Sequence, residues 1–335
     1  IFNFQFSIFK QIPSPNDKNS NYSINALKWP PGILWTQLRL SAEMITNPPD
    51  VLFIPSHLAP PIHPKKLVIT IHDLAFKACP EVYSKQELLM QEWGIRQTLR
   101  NAWRIIVPSQ FTKNEIYKWY PRYRKDTIYA VLHGVDHTIF KTPARRTVTR
   151  RVENHNSKIK NIVYIGRLES KKNIVNLVKA FNFLCSMFHV PCFMTLIGSP
   201  GYGYQTIKKE IDASPFRANI NELGWLEREE TAIHLADASI LVFPSFYEGF
   251  GMPIVESFAS GTQVACSDIP ALREVGGDIP LYFDPHNPKD IAEKLNELLT
   301  NEPLRKQKVA QGLSYAKSWS WESSAKKTLN ILMNL

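Results

Sequence analysis

Two carboxylates bracket a pair of glycines in Val242-Phe-Pro-Ser-Phe-Tyr-Glu-Gly-Phe-Gly-Met-Pro-Ile-Val-Glu256. Gly249 and Gly251, on either side of Phe250, allow backbone amides to come close to a ligand. Met252 and Pro253 lead into a helix whose free N–H groups and positive dipole end favour an anion. Glu248 stands before the first glycine at the rim of the loop, and Glu256 falls on the first turn of the helix. An anion site flanked by two hydroxyl-accepting carboxylates has the layout of a diphosphate joined to a sugar on each side. A plainer account also fits: the glycines make a tight strand-to-helix turn and Glu256 complements the helix dipole.

A second group lies in Gly166-Arg-Leu-Glu-Ser-Lys-Lys-Asn173. Arg167 offers a bidentate fork and Lys172 a point charge to a diphosphate; solvated bases in a helix-starting loop are the alternative. Gly198, Gly224 and Trp225 each follow a short apolar run, and His72-Asp73 follows another. Strand carboxyl ends are where open α/β sheets bind ligands. A structural account of His72-Asp73 has the Asp capping a turn and the His bonding a backbone carbonyl.

These residues need a scaffold, and the surrounding pattern supplies an α/β one. In the first half, short apolar runs at 51–54, 67–71, 104–107 and 127–131 read as parallel strands. They are separated by helices at 84–101 and from Ser109, which serves as an N-cap. Before them, residues 1–9 alternate with strand period, 13–18 are a polar turn, and 33–44 have helical spacing. In the second half strands at 162–165, 193–197, 219–223 and 239–243 alternate with helices at 174–188, 205–212, 228–236 and 254–259, which implies a parallel sheet covered on both faces. The basic, polar stretch 141–160 separates the halves. The boundaries are an N-terminal domain over 1–145, a linker at 146–160, a second domain over 161–317 and a terminal helix at 318–335.

Composition narrows the function classes. The chain has 335 residues and a formal charge of +10. Residues 1–150 hold 20 Lys plus Arg against 10 Asp plus Glu, and residues 151–335 hold 20 against 20. A basic first half favours a polyanionic partner such as an anionic membrane surface or a lipid-linked phosphate. Nucleic acid is disfavoured, since no recognition motif accompanies the charge. Cys79, Cys185, Cys192 and Cys266 form no C-x-x-C pair, which points to a reducing, cytoplasmic setting; the basic first half adds the expectation of peripheral contact at the inner membrane face. The histidine pairs His57/His63 and His133/His137 lack metal-site spacing, so no metal is expected. No apolar run approaches the ~20 residues of a membrane span.

The pattern E-G-F-G-x-P-x-x-E after V-F-P-S, together with G-R-L-x-x-x-K-N at 166–173, L-G-W at 223–225, H-D-L at 72–74 and H-G-V-D at 133–136, resembles glycosyltransferase family 4 (group 1), and its mannosyltransferase-like members in particular. The likeness covers roughly residues 50–335. It implies a GT-B fold, two Rossmann-like doubly wound domains facing across a cleft. It also implies a retaining, metal-independent hexosyltransferase that uses a GDP-mannose or UDP/ADP-glucose type donor and a saccharide or lipid-linked acceptor, with no cofactor, in polysaccharide biosynthesis.

By the same resemblance His72 contacts the donor sugar, Arg167 and Lys172 clamp the diphosphate, and Glu248 orients sugar hydroxyls. Glu256 binds the ribose, while Gly166, Gly198, Gly224, Trp225, Gly249, Phe250, Gly251 and Met252 line the donor. The family's opening strand and glycine-rich loop have no counterpart, because residues 1–9 match its second strand. The expectation is an N-terminal domain lacking its first strand and helix. Two other functions fit the same scaffold: a nucleotide-sugar epimerase, and a truncated, non-catalytic nucleotide-sugar-binding protein.

Overall fold

The structure is a computed structural model that describes residues 35–56, 58–123, 126–142 and 160–333. The expected strand at 1–9, the turn at 13–18, the first residues of the 33–44 helix, His57 and nearly all of the linker lie outside the described residues. The rest divides into two compact units. One comprises the described residues up to Leu132 and those from Ser324 onward, and the other is His133–Ser323.

In the first unit a π-helical turn, Trp35–Leu40, runs into α1 (Ser41–Thr46). There follow β1 (Val51–Ile54), β2 (Lys66–Thr70), α2 (Ala75–Ala78), α3 (Lys85–Asn101), β3 (Arg104–Val107), α4 (Gln110–Trp119) and β4 (Ile128–Ala130). The four strands are parallel and adjacent in chain order. Right-handed crossovers therefore put their connecting helices on one face. On that face Ile71, Ile105 and Val107 of the sheet layer meet Ile95 and Leu99 of α3 and Ile116 of α4. Val68, Ile106 and Val131 form the other face and pack against Ile331 and Leu332 of the last helix of the chain. Local chemistry sets the helix starts. Ser84 and Glu87 make a reciprocal capping box on α3 (3.2 and 2.8 Å), and Ser109 Oγ accepts from Thr112 N at 3.0 Å on α4.

The second unit continues the alternation through β5 (Lys160–Ile165), α5 (Ile174–Met187), β6 (Cys192–Ile197), α6 (Tyr204–Asp212), β7 (Ile220–Gly224), α7 (Arg228–Ala236), β8 (Ile240–Phe243) and α8 (Met252–Ser260). It ends with β9 (Val264–Ser267), α9 (Pro270–Gly276), β10 (Leu281–Phe283), α10 (Pro288–Thr300) and α11 (Glu302–Ala316), after which α12 (Trp321–Met333) begins in this unit and belongs from Ser324 onward to the first. All six strands are parallel, in the order β10-β9-β8-β5-β6-β7. From β5 the chain winds outward through β6 and β7, then returns to β8 on the other side of β5 and winds the opposite way. The switch point lies between β5 and β8. A parallel sheet buried on both faces needs apolar strands, and Ile240, Leu241 and Val242 of β8 are fully buried.

Candidate active site

A doubly wound sheet binds ligands outside the strand ends at its switch point. The loops leaving β5 and β8 are therefore the ones to inspect, and they carry the two motifs singled out by sequence. They are tied together: Lys172 Nζ lies 2.5 Å from Glu248 Oε1, and Ser245 Oγ donates to the same oxygen at 2.7 Å. Only 15% of the Lys172 side chain and 12% of the Glu248 side chain are exposed. Glu248 thus sits inside the loop and not at its rim, because an acid paired this closely is drawn down onto its base. Phe246 N also donates to Lys171 O at 2.9 Å, so the two loops share a backbone bond as well.

Asn173 and Tyr164 hold this junction, and neither is prominent in the sequence. Asn173 is buried in a left-handed conformation (φ 62°), and its Nδ2 donates to the carbonyls of Pro244 (3.0 Å) and Pro285 (2.7 Å). One side chain thereby fixes the β5 loop to the loops after β8 and β10. In the sequence Asn173 stands out only as the last residue of the G-R-L-x-x-x-K-N pattern; it occupies the N-cap position of α5, but its side chain makes no cap bond. Tyr164, fully buried in β5, donates to Arg167 O at 3.0 Å. Burial pushes its hydroxyl far above the usual phenol range, and the charges of Glu248 and Glu169 push the same way. Arg167 has 67% of its side chain exposed, with Glu169 at 4.0 Å, while Lys171 is paired with Glu169 at 3.5 Å.

The predicted glycines stand at successive strand ends. Gly166, Gly198 and Gly224 follow or close β5, β6 and β7, all with positive φ (149°, 148° and 72°). A side chain on Gly198 would collide with the Gly166 carbonyl, so glycine is what lets these two strand ends approach each other this closely. Trp225, next to Gly224, is 65% exposed. Gly251 has φ 109° and precedes α8, whereas Gly249 is not in the positive-φ region. The Phe250 ring packs edge-on to His133 (4.9 Å) and Trp319 (5.7 Å), so this residue offers the loop its backbone.

Helix α8 starts at Met252, with Pro253 second, which places Glu256 in the second turn and not the first. The helix begins two residues earlier than its apolar spacing suggested, because the left-handed Gly251 lets Met252 enter helical conformation. The dipole account of Glu256 weakens accordingly, since that effect fades beyond the first turn. Burial instead raises the Glu256 carboxyl to about 7, opposed by the charge of Arg228. Such a shift marks a carboxylate kept in a poorly solvated place, as functional acids often are.

His72 belongs to the first unit. Its Nε2 donates to Pro55 O at 3.1 Å, and Asp73 Oδ1 accepts from Ala75 N at 2.9 Å, the turn-and-carbonyl arrangement that the structural account expects. Among the described residues no group of His, Cys, Asp and Glu is placed to hold a metal ion, and no helix is long and apolar enough to cross a membrane.

The chain is thus a parallel α/β protein in two units, the second carrying a basic and an acidic loop at its switch point. The glycosyl transferases group 1 family model matches residues 145–313, and that of glycosyltransferase family 4 matches residues 17–139. The chain belongs to the glycosyl transferases group 1 family and has the GT-B fold. Among its relatives, the O-antigen chain mannosyltransferase B of Escherichia coli is 28% identical over 285 residues, which is 79% of this chain and 70% of that one. Solved structures with the same fold include WaaG, a glycosyltransferase involved in lipopolysaccharide biosynthesis (TM-score 0.72, 15% identity, covering 88% of this chain and 80% of that one). Another is Anabaena HepE in complex with UDP and glucose (TM-score 0.67, 17% identity, 81% and 72% covered).

Proposed function

We propose that this glycosyltransferase moves a hexose, mannose ahead of glucose, from a nucleotide-diphosphate sugar to a saccharide or lipid-linked acceptor, with retention and without a metal. The observation that carries the reading is the Lys172–Glu248 pair at the switch point of the second unit. The mannose preference rests on the likeness to the O-antigen mannosyltransferase.

As the sugar leaves, the diphosphate gains negative charge and the anomeric carbon becomes cationic. Lys172, held by Glu248, has two further N–H donors for the diphosphate. The exposed Arg167 adds a second cation, and the backbone amides of residues 249–252 add the positive end of α8. Such preorganised donors supply several kcal/mol to a transition state. Glu248 faces the sugar hydroxyls and the developing cation, the diphosphate takes the acceptor's proton, and Glu256 binds the ribose.

The test is sugar transfer from GDP-mannose, UDP-glucose and ADP-glucose, with Lys172→Ala and Glu248→Ala beside the parent chain. Each substitution should lower transfer at least ~100-fold, comparable to the loss of one transition-state donor. Near-parental turnover by either variant would sink the assignment.

The first unit supports peripheral contact with an anionic membrane. On α3, Leu89, Met90 and Trp93 are 73%, 57% and 52% exposed, and Arg96 and Arg100 are exposed further along the helix. Aromatic and aliphatic side chains beside arginines suit a headgroup interface. The full chain should float with vesicles containing anionic lipid and not with neutral ones, and Leu89→Ser with Trp93→Ser should abolish flotation. Equal binding to both vesicle types would rule the contact out.

A further inference from the structure

We infer that Cys185 and Cys192 form a dithiol site that a peroxide-class oxidant closes to a disulfide. Cys185 lies in the last turn of α5 and Cys192 is the first residue of β6, so a short connection brings their sulfurs to 3.5 Å, already in hydrogen-bond contact. Cys185 is partly exposed and Cys192 is buried (2%). The oxidant can reach the first sulfur, and the second stands behind it as the resolving group. Met187 and Phe188 in the connection are 60% and 37% exposed, and His189 turns it through a left-handed conformation (φ 50°), so the segment lies at the surface. Cys79 and Cys266 are buried elsewhere, in different elements of the chain.

Exposure divides the roles. Burial disfavours a thiolate at Cys192, so the more accessible Cys185 is the sulfur that meets the oxidant. The Cys185 thiolate attacks one peroxide oxygen; an S–O bond forms, the O–O bond breaks, and hydroxide leaves to be protonated to water. The Cys192 sulfur then attacks the Cys185 sulfenic acid. The S–S bond forms, the S–O bond breaks, and the hydroxyl departs as water with the Cys192 proton. Two thiols and one peroxide give one disulfide and two waters.

The bond would join α5 to β6 at the end of this βα unit remote in sequence from Lys172 and Asn173. It should stiffen the unit without displacing the β5 loop. Closing so short a loop is expected to raise the melting temperature by about 5 °C.

The experiment treats the full chain with hydrogen peroxide, unfolds it and alkylates it with N-ethylmaleimide without reductant, and maps it by mass spectrometry. The expected result is a loss of about 2 Da in the peptide carrying both residues, with Cys79 and Cys266 still alkylated and reversal by dithiothreitol. Cys192→Ser should leave a sulfenic acid at Cys185 that dimedone traps, and Cys185→Ser should remove the mass loss altogether. Full alkylation of both residues after peroxide, or sulfinic acid at Cys185 with Cys192 still alkylated, would overturn the inference.

Discussion

Glu256→Gln isolates a charge that the fold keeps at a cost. Burial raises the carboxyl from 4.5 to about 7. A displacement of about 2.5 pK units at about 1.4 kcal/mol each corresponds to about 3 kcal/mol as an upper figure. The folded value lies above the unfolded one, so the native state holds its proton more tightly. The associated stability is fully present below pH 4.5, declines as the unfolded chain ionises first, and is gone once pH passes about 7. Glutamine has nearly the same shape and no such dependence. Urea unfolding of the parent and the variant at pH 5 and pH 8 should show the variant gaining up to about 3 kcal/mol relative to the parent at the higher pH. A difference that stays constant between the two pH values would refute the reasoning, since burial of an ionised carboxylate could not then be the cause. If the carboxylate accepts ribose hydroxyls, binding of a nucleoside diphosphate near pH 6.5 should release more protons from the parent than from the glutamine variant, whose remaining release comes from the ligand's own phosphate.

The remaining predictions concern the loops. Gly251→Ala places a side chain at φ 109° and 2.7 Å from Leu272 Cδ2, and should cost about 1–3 kcal/mol in chemical denaturation. Asn173→Ala strands the Pro244 and Pro285 carbonyls and puts alanine in a left-handed conformation; Asn173→Gly should recover about 1 kcal/mol of that loss, which paired melts would measure. Lys172→Ala leaves Glu248 a largely buried anion without its base, so in a double-mutant cycle the pair of substitutions should destabilise by about 1–3 kcal/mol less than the sum of the singles.

Where the controlling signal is local, the sequence was readable. The strand at 104–107, the cap at Ser109 and the helix at 228–236 all stand where apolar runs and capping chemistry put them. The glycines at strand ends were readable for the same reason. What escaped was set by neighbours distant in the chain. Lys172 and Glu248 are 76 residues apart, and only the reversal of strand order around β5 makes them adjacent. Asn173 stands out only as the last residue of its pattern until two proline carbonyls from other loops claim its amide. Trp35–Leu40 has helical spacing, but spacing alone does not distinguish a π turn from an α one.

The ion pair also bears on how one site can recognise both halves of a donor. In this structure the Lys172 charge is already met by Glu248, so the pair is close to neutral as a unit. A bare phosphate would gain Lys172 only by competing with that carboxylate. A diphosphate carrying a sugar offers more: its oxygens take the ammonium's spare donors while its hydroxyls approach Glu248. Each contact leaves the other intact. On the proposed reading Arg167, exposed and 4.0 Å from Glu169, adds positive charge that attracts the anion. On the proposed reading, recognition of the complete donor thus arises because phosphate and sugar contacts share one hydrogen-bonded pair, held in register by Ser245 from one loop and Asn173 from the other.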